Sequence, residues 1–499
     1  MNNKGISLEI AKLKGGQSDE DASLIDDFFT RLDNSHSLYK NQRNQLFKDF
    51  IKAFEYYLDN QKSVKETIEL LDVKHLGDFY LKRKRENYEL DNAAIVYPLG
   101  MKFGQMPMFR LSATLKEDVV PEVLQIALYF TIKRFPVFST VVKTGFFWHY
   151  LESSYNLPLV EAEDDIPCKP ISIVLRTSRS YRLLYFKKRI SVEFFHVLTD
   201  GSGGMVFLKT LLYEYFKLLG KEVEIGENIL DIDEDVNPEE LVNEFTKAEG
   251  KDDLNTFFDS KSLQLDGKLA KINPHHILHY QMSLKELREV CKKYGVTITA
   301  YILSILFLAA KNNISKKSGE FKIQVPVNMR KFNNSKTLRN YSMYFSASKE
   351  INDIPELPVL AKQIDEQLKT RGSEEIMNQM MKTTGKMISM VANIPLIIKN
   401  PFIQLAYGYL GNSIIGNALS NIGLVNMPEK MKDYVDYFDF LLIPKAPNRV
   451  ATTLITYGDK VRFTVIKSSA DKKYEKDIYE LFQEDGLNIK LEGSIDYES

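Results

Sequence analysis

Apolar residues recur at helical spacing through the first ninety positions. In "QLFKDFIKAFEYYL", Phe47, Phe50, Ile51, Phe54, Tyr57 and Leu58 fall on one face of a helix. "SVKETIELLD" follows, with Ser63 and Glu66 at capping-box spacing, and Val64, Ile68 and Leu71 extend the apolar face. The pattern predicts a small helical module over residues 1–90, closed by a polar connector, "KRKRENYELDN" (82–92). The basic run Lys82 to Arg85 reads as a solvated linker and not as an anion-binding patch.

Beyond the connector the period alternates. "MPMFRLSATL" (106–115) predicts a strand, and "PEVLQIALYFTIKRF" a helix with Pro121 in its first turn. "FSTVVKTG", "YRLLYF" and "RISVEFFH" read as strands, and Met205, Leu208, Leu211, Leu212, Tyr215, Phe216 and Leu219 mark a helix that stops at Gly220. From Lys221 to Asp253 the chain turns acidic, a surface connector between two halves. Asp231, Asp233 and Asp235 mimic the start of a calcium loop, but Val236 replaces the glycine of its sixth position and Val242 the glutamate of its twelfth.

The second half offers the strand "HHILHYQMSL", the helices "LKELREVCKKYG" and "TAYILSILFLAAKNN", and the strand "FKIQVPVNM". His275, His276 and His279 alternate with apolar residues as in a strand, without the carboxylate or cysteine that would complete a metal site. "DYFDFLLIP", "VATTLITYG" and "KVRFTVIKS" read as closing strands, the last two joined by the turn "YGDK" (457–460). Strands mixed with helices in both halves, with no fixed repeat, give an α/β class. The expected organisation is a helical extension over 1–90, one subdomain over 91–270 and a second over 271–499.

A chain of 499 residues exceeds one ordinary core, which agrees with two packed units. Net charge is −1, from 66 basic and 67 acidic side chains, so neither a nucleic-acid nor an anionic-membrane binder is indicated. The two cysteines, Cys168 and Cys291, stand far apart and read as buried thiols in a reducing compartment. The N-terminus lacks the apolar core of a secretory signal, and the run 300–310 is too short to span a bilayer, so the expected location is the cytoplasm. Residues 387–411, interrupted by Pro395, Lys399, Asn400 and Pro401, are expected to form a buried amphipathic helix pair.

Candidate chemistry concentrates in "SVEFFHVLTDGSGGMVFLKTLL" (191–212). Strand alternation puts Ile190, Val192, Phe194 and His196 on one face, so His196 ends an apolar wall. Lost solvation disfavours its charged form and suits it to act as a base near neutral pH. Asp200 precedes the glycine-rich start of the next helix, and two roles stay open for it: the N-cap, or a charge partner that holds the loop carrying His196.

"HVLTDG" resembles the HxxxDG signature of the coenzyme A-dependent acyltransferase superfamily, which includes chloramphenicol acetyltransferase and the condensation domains of peptide synthetases. The surrounding sequence is most similar to the alcohol acetyltransferase family, through "YPLGMKFGQMPMFRLSATL" (97–115), "VPVNMRKFNNSKTLRNYSMYF" (325–345), "ALSNIGLVNMPEKMKDYVDYFDF" (418–440) and the closing strands. The resemblance runs over roughly residues 93–467. It implies two chloramphenicol-acetyltransferase-like subdomains meeting at a central channel.

It also implies His196 as general base, Asp200 as a structural carboxylate, Gly201 as the tight turn beside the site, and Arg330 as the arginine that pairs with Asp200 from the second half. Ser420 and Asn421 resemble the segment lining the acyl channel, with Ser420 an oxyanion candidate. Condensation domains carry two histidines here, and the first is replaced by Phe195. The implied reaction is direct transfer from an acyl-CoA co-substrate to a small alcohol, or an amine, with no permanently bound cofactor and no metal. The alternative is a non-catalytic binding or scaffold protein that retains the fold. Three placements stay open for the aromatic stripe of residues 1–90: among its own helices, against the acyltransferase body, or against another chain as a surface for self-association or a protein partner.

Overall fold

A computed structural model describes residues 4–82, 85–95, 97–100, 106–154, 156–171, 179–247, 260–406, 414–445 and 447–493. Two large sheets organise them, beside a three-stranded one in the order Asn87–Glu89, His149–Ser153 and Thr140–Thr144. The first has five strands in the order Val435–Leu442, Met108–Leu115, Arg189–Phe195, Tyr181–Phe186 and Val160–Ala162. The second has seven, in the order Ser342–Glu350, Glu320–Asn328, Asn417–Leu424, Val450–Tyr457, Lys460–Lys467, His276–Ser283 and Lys490–Gly493. Helices Pro121–Ile132 and Gly201–Leu218 pack with the first, and Leu284–Tyr294, Ile298–Asn312, Leu357–Arg371 and Lys473–Glu484 with the second. Each sheet has its own large apolar core. This two-sheet α/β architecture is the one the resemblance implies.

The strand Val435–Leu442 lies far along the chain yet pairs antiparallel with Met108–Leu115, placing Phe440 opposite Leu111 and Asp439 opposite Ser112. It therefore completes the first sheet, although its sequence reads as one more closing strand of the second half. An alternating pattern identifies a strand and its buried face but not its partner. His276 and His279 lie on an interior strand, where His279 Nδ1 sits 2.8 Å from Thr464 Oγ1 and His276 Nε2 lies 3.4 Å from Glu475. Asp233 of the acidic connector is bound to Lys133 at 2.9 Å and to His75 at 3.0 Å. Residues 248–253 of that connector lie outside the described residues.

Two expectations change. The connector 82–92 is not solvated throughout: Asn87–Glu89 form an edge strand against His149–Ser153, and Leu90 and Asp91 are buried. The stretch from 387 is only half buried. It divides between helices Glu374–Met390 and Leu396–Ala406, and in the second Leu396 and Lys399 turn inward while Ile397 and Ile398 are 84% and 55% exposed. Helical spacing puts these pairs on opposite sides. Residues 407–411 of that stretch lie outside the described residues. No single helix among the described residues is long and apolar enough to cross a membrane.

The aromatic stripe of the N-terminal helices packs both among those helices, where Phe47 and Phe54 meet Phe28 and Phe29 of Asp19–Asn34, and against the body that carries the first sheet. Phe47, Phe50, Phe54 and Tyr57 on helix Lys40–Asp59 are buried in the same core as the first sheet. Phe50 lies 6.5 Å from Tyr129 with the rings 7° from parallel, and 6.3 Å from Phe130. Polar anchors fix the seam: Tyr129 Oη donates to Asp49 at 2.6 Å, and Tyr57 Oη donates to the Leu218 carbonyl at 2.7 Å. Phe50→Ala is expected to cost about 3–5 kcal/mol, the range for emptying a buried aromatic site. A loss of unfolding free energy, from denaturant melts, of less than a third of that amount would mean that this seam is not a packed core.

Candidate active site

The interior position of strand Arg189–Phe195, between Met108–Leu115 and Tyr181–Phe186, delivers His196 to the edge of the first core. The His196 N–H donates to the Pro107 carbonyl at 2.8 Å, which holds the chain just past the last strand residue. Phe109 meets the imidazole edge-on at 5.0 Å between ring centres, and Tyr97 covers it at 5.2 Å. Burial pushes the imidazole pKa below its usual value, and the nearby Lys445 charge adds to this, while the His196 carbonyl, Asp200 and Asn340 pull the other way. The net direction is down, so the ring is neutral near pH 7. Its Nδ1 lies 2.9 Å from Asn340 Oδ1, an atom supplied by the second half of the chain.

Asp200 takes both roles left open by the sequence. As N-cap of helix Gly201–Leu218, its Oδ1 accepts from the N–H groups of Ser202 at 3.1 Å and Gly203 at 3.0 Å. Its Oδ2 accepts from Arg330 Nη1 at 2.7 Å and from the Tyr341 N–H at 2.8 Å. Burial drives the carboxyl pKa up, but Arg330 and the backbone donors outweigh it and hold the group below its ordinary range. Arg330 is fixed in turn: Nε donates to the Thr337 carbonyl at 2.9 Å and Nη2 to the Arg339 carbonyl at 2.5 Å. The pair is nearly dry, with the side chains 14% and 6% exposed.

Gly201 opens the helix, and a methyl group there would sit 3.3 Å from Ile422. The tighter constraint falls two residues later. A Cβ on Gly203 would lie 2.2 Å from the Leu338 carbonyl oxygen and 2.3 Å from Thr199 Oγ1, closer than any real contact. The reason is that Thr199 Oγ1 donates to that same carbonyl at 2.6 Å, drawing the second-half loop onto the helix start. Ser420 and Asn421 lie within strand Asn417–Leu424, at a bulge between Asn421 and Gly423. The bulge brings Ile422 against Gly201, so this segment borders the HxxxDG turn. Ser420 pairs in register with Thr453, and the Asn421 amide donates to Thr299 Oγ1 at 3.1 Å.

The structure thus brings His196, Asp200, Gly201 and Arg330 together, with Ser420 and Asn421 on an adjoining strand. Asn340, Asp91 and Gly203 join them without having been singled out from the sequence. Asn340 lies inside the matching stretch "TLRNYSMYF", where a bonding side chain next to Arg339 was the available signal. A separate cavity of about 410 Å³, lined by Leu157, Pro158, Arg179 and Arg182 among others, does not include His196.

The alcohol acetyltransferase family profile matches residues 173–440. No curated protein matches the chain at a significant level by sequence. Solved structures resemble it in fold. One is the TRI3 trichothecene 15-O-acetyltransferase of Fusarium sporotrichioides, with 13% identity over 79% of this chain and 95% of that one, at a TM-score of 0.53. Another is TRI101 of F. sporotrichioides complexed with coenzyme A and T-2, with 12% identity over 82% and 100% of the two chains, at 0.54. A third is the epimerization domain from the third module of tyrocidine synthetase B, with 12% identity over 81% and 95%, at 0.52.

Asp200→Asn keeps the cap but leaves Arg330 without its counter-charge, and is expected to lower stability by about 3–5 kcal/mol. In the unaltered chain the folded-state carboxyl titrates below its unfolded value. The stabilisation is therefore present above that unfolded value and is lost as pH falls through the lowered one. Denaturant melts of both chains should converge at acid pH; a gap that is small at neutral pH, or independent of pH, would count against the pairing as a source of stability.

Proposed function

The chain belongs to the alcohol acetyltransferase family, and from that premise we propose that it transfers an acyl group from a coenzyme A thioester to the hydroxyl of a small acceptor, with His196 as general base. The observation that carries the proposal is a neutral, part-buried imidazole at the meeting of the two halves, with Nδ1 engaged by Asn340 and no hydrogen-bond partner on Nε2 among the described residues. The TRI101 structure with coenzyme A supports the choice of donor.

In this reading the acceptor O–H gives its proton to His196 Nε2 as its oxygen attacks the thioester carbonyl. The tetrahedral oxyanion is stabilised by Ser420 or a backbone N–H. Its collapse expels the coenzyme A thiolate, which takes the proton back from the imidazolium, so no acyl-enzyme forms. Base assistance contributes roughly 10²–10⁴ in rate, and alignment of the two substrates supplies much of the rest. Residues 91–270 carry the base and 271–499 carry Arg330, so activity depends on their junction. An amine acceptor fits the same step less well, because a protonated amine has no lone pair to attack with. Free thiols at Cys168 and Cys291, both buried, support a reducing compartment such as the cytoplasm.

The proposal is tested by thiol release from acyl-CoA in the presence of pooled alcohols. His196→Ala should remove turnover while leaving the melting temperature near that of the parent. Because the base must be neutral and its pKa is lowered, kcat/KM should hold through neutral pH and fall only as pH drops through a value below the usual 6.5. Coenzyme A binding with no thiol release for any acceptor would favour the non-catalytic alternative, and full turnover by a folded His196→Ala chain would exclude the mechanism.

A further inference from the structure

Asp91 lies near the end of the connector that follows the N-terminal helices, and its side chain is fully buried. Its Oδ1 accepts from the Ala94 N–H at 2.8 Å. Its Oδ2 accepts from Asn340 Nδ2 at 3.2 Å and lies 3.9 Å from Arg339 Nη2, which also donates to the Glu89 carbonyl. The Asn340 Nδ2 donates a second time, to the His196 carbonyl at 2.9 Å. A primary amide nitrogen has two protons, and both are used here.

Those two acceptors decide which end of the Asn340 side chain is nitrogen. The other end, Oδ1, must then be the atom 2.9 Å from His196 Nδ1. An amide oxygen only accepts, so Nδ1 carries the imidazole proton and Nε2 holds the lone pair. Turning the amide over would set its oxygen against both the Asp91 carboxylate and the His196 carbonyl. From this geometry we propose that Asp91 is a positioning residue: acting through Asn340, it holds His196 in the tautomer whose Nε2 is free to take a proton.

The proposal rests on the reading of His196 as the base, but its central measurement does not. With ¹⁵N-histidine incorporated into the full chain, long-range ¹H–¹⁵N correlation reports which ring nitrogen is protonated, and the His196 signals are those absent from His196→Ala. The parent should show a protonated Nδ1 and a bare Nε2. Asp91→Asn offers one oxygen where two are needed and sets an NH₂ group against Asn340, so the population should move toward protonated Nε2. Its kcat should fall at least about tenfold, in the direction of the larger loss known for a wrong tautomer, with KM for both substrates within threefold.

A parent chain protonated at Nε2 would overturn the proposal whatever the variants do. So would a folded Asp91→Asn with unchanged tautomer and kcat. If the parent releases no coenzyme A with any acceptor while the tautomer still responds to Asp91, the positioning role stands and the base role falls.

Discussion

A buried carboxylate, Asp200, ties the first half of the chain to the second. A buried carboxylate is costly unless its lone pairs are filled, and each oxygen of Asp200 is filled by two donors. The Ser202 and Gly203 N–H groups come from the helix of the first half, and Arg330 and the Tyr341 N–H from the loop of the second. Helix start and loop are therefore held at one point. Arg330 passes the constraint along by binding the carbonyls of Thr337 and Arg339, and the residue after Arg339 is the one that touches the imidazole. The position of the proposed base thus depends on an ion pair that never contacts it. This arrangement has the cost structure of buried pairs in general: the intact pair adds modest net stability, whereas half a pair is strongly destabilising.

The local parts of this device were legible in the sequence and the cross-chain parts were not. The strand ending at His196, the cap at Asp200 and the helix after it follow from period and spacing within twenty residues. Arg330 came through resemblance, since nothing local links it to a residue 130 positions away. The bonds from Asn340 span 144 residues to His196 and 249 to Asp91. Asp91 sits in a segment whose composition reads as solvated, and only the edge strand beside it and the Ala94 turn take it out of water. Gly203 escaped for the same reason: the need for a bare Cα there is imposed by the Leu338 carbonyl of the other half. The exposure of Ile397 and Ile398 was also hidden, because an apolar run does not say which side of a short helix faces the body.

The N-terminal helices look separable in sequence because a charged connector follows them. In the folded chain Phe50 stacks on Tyr129, and the connector runs directly into Asp91. Asp91, which bonds Asn340, therefore follows those helices along the chain. Next to Asp91, Asn87–Glu89 of the connector are tied to His149–Ser153.

The base proposed at His196 faces two opposed demands. It must be neutral before the reaction, which burial and Lys445 favour, and it must accept a full positive charge during it, which the same burial opposes. The opposing contributions at His196 come from groups fixed in advance: its own carbonyl, the Asp200 carboxylate and the Asn340 oxygen. Being preorganised, they need no rearrangement when charge appears. Asp91 lies behind the last of them, so its negative charge is presented to the ring through a polarised amide and not by direct contact, where it would raise the resting pKa. On this argument an intervening asparagine serves the chemistry better than a carboxylate against Nδ1. In that proposal it fixes the tautomer while leaving the imidazole a weaker base, already deprotonated when an acceptor arrives.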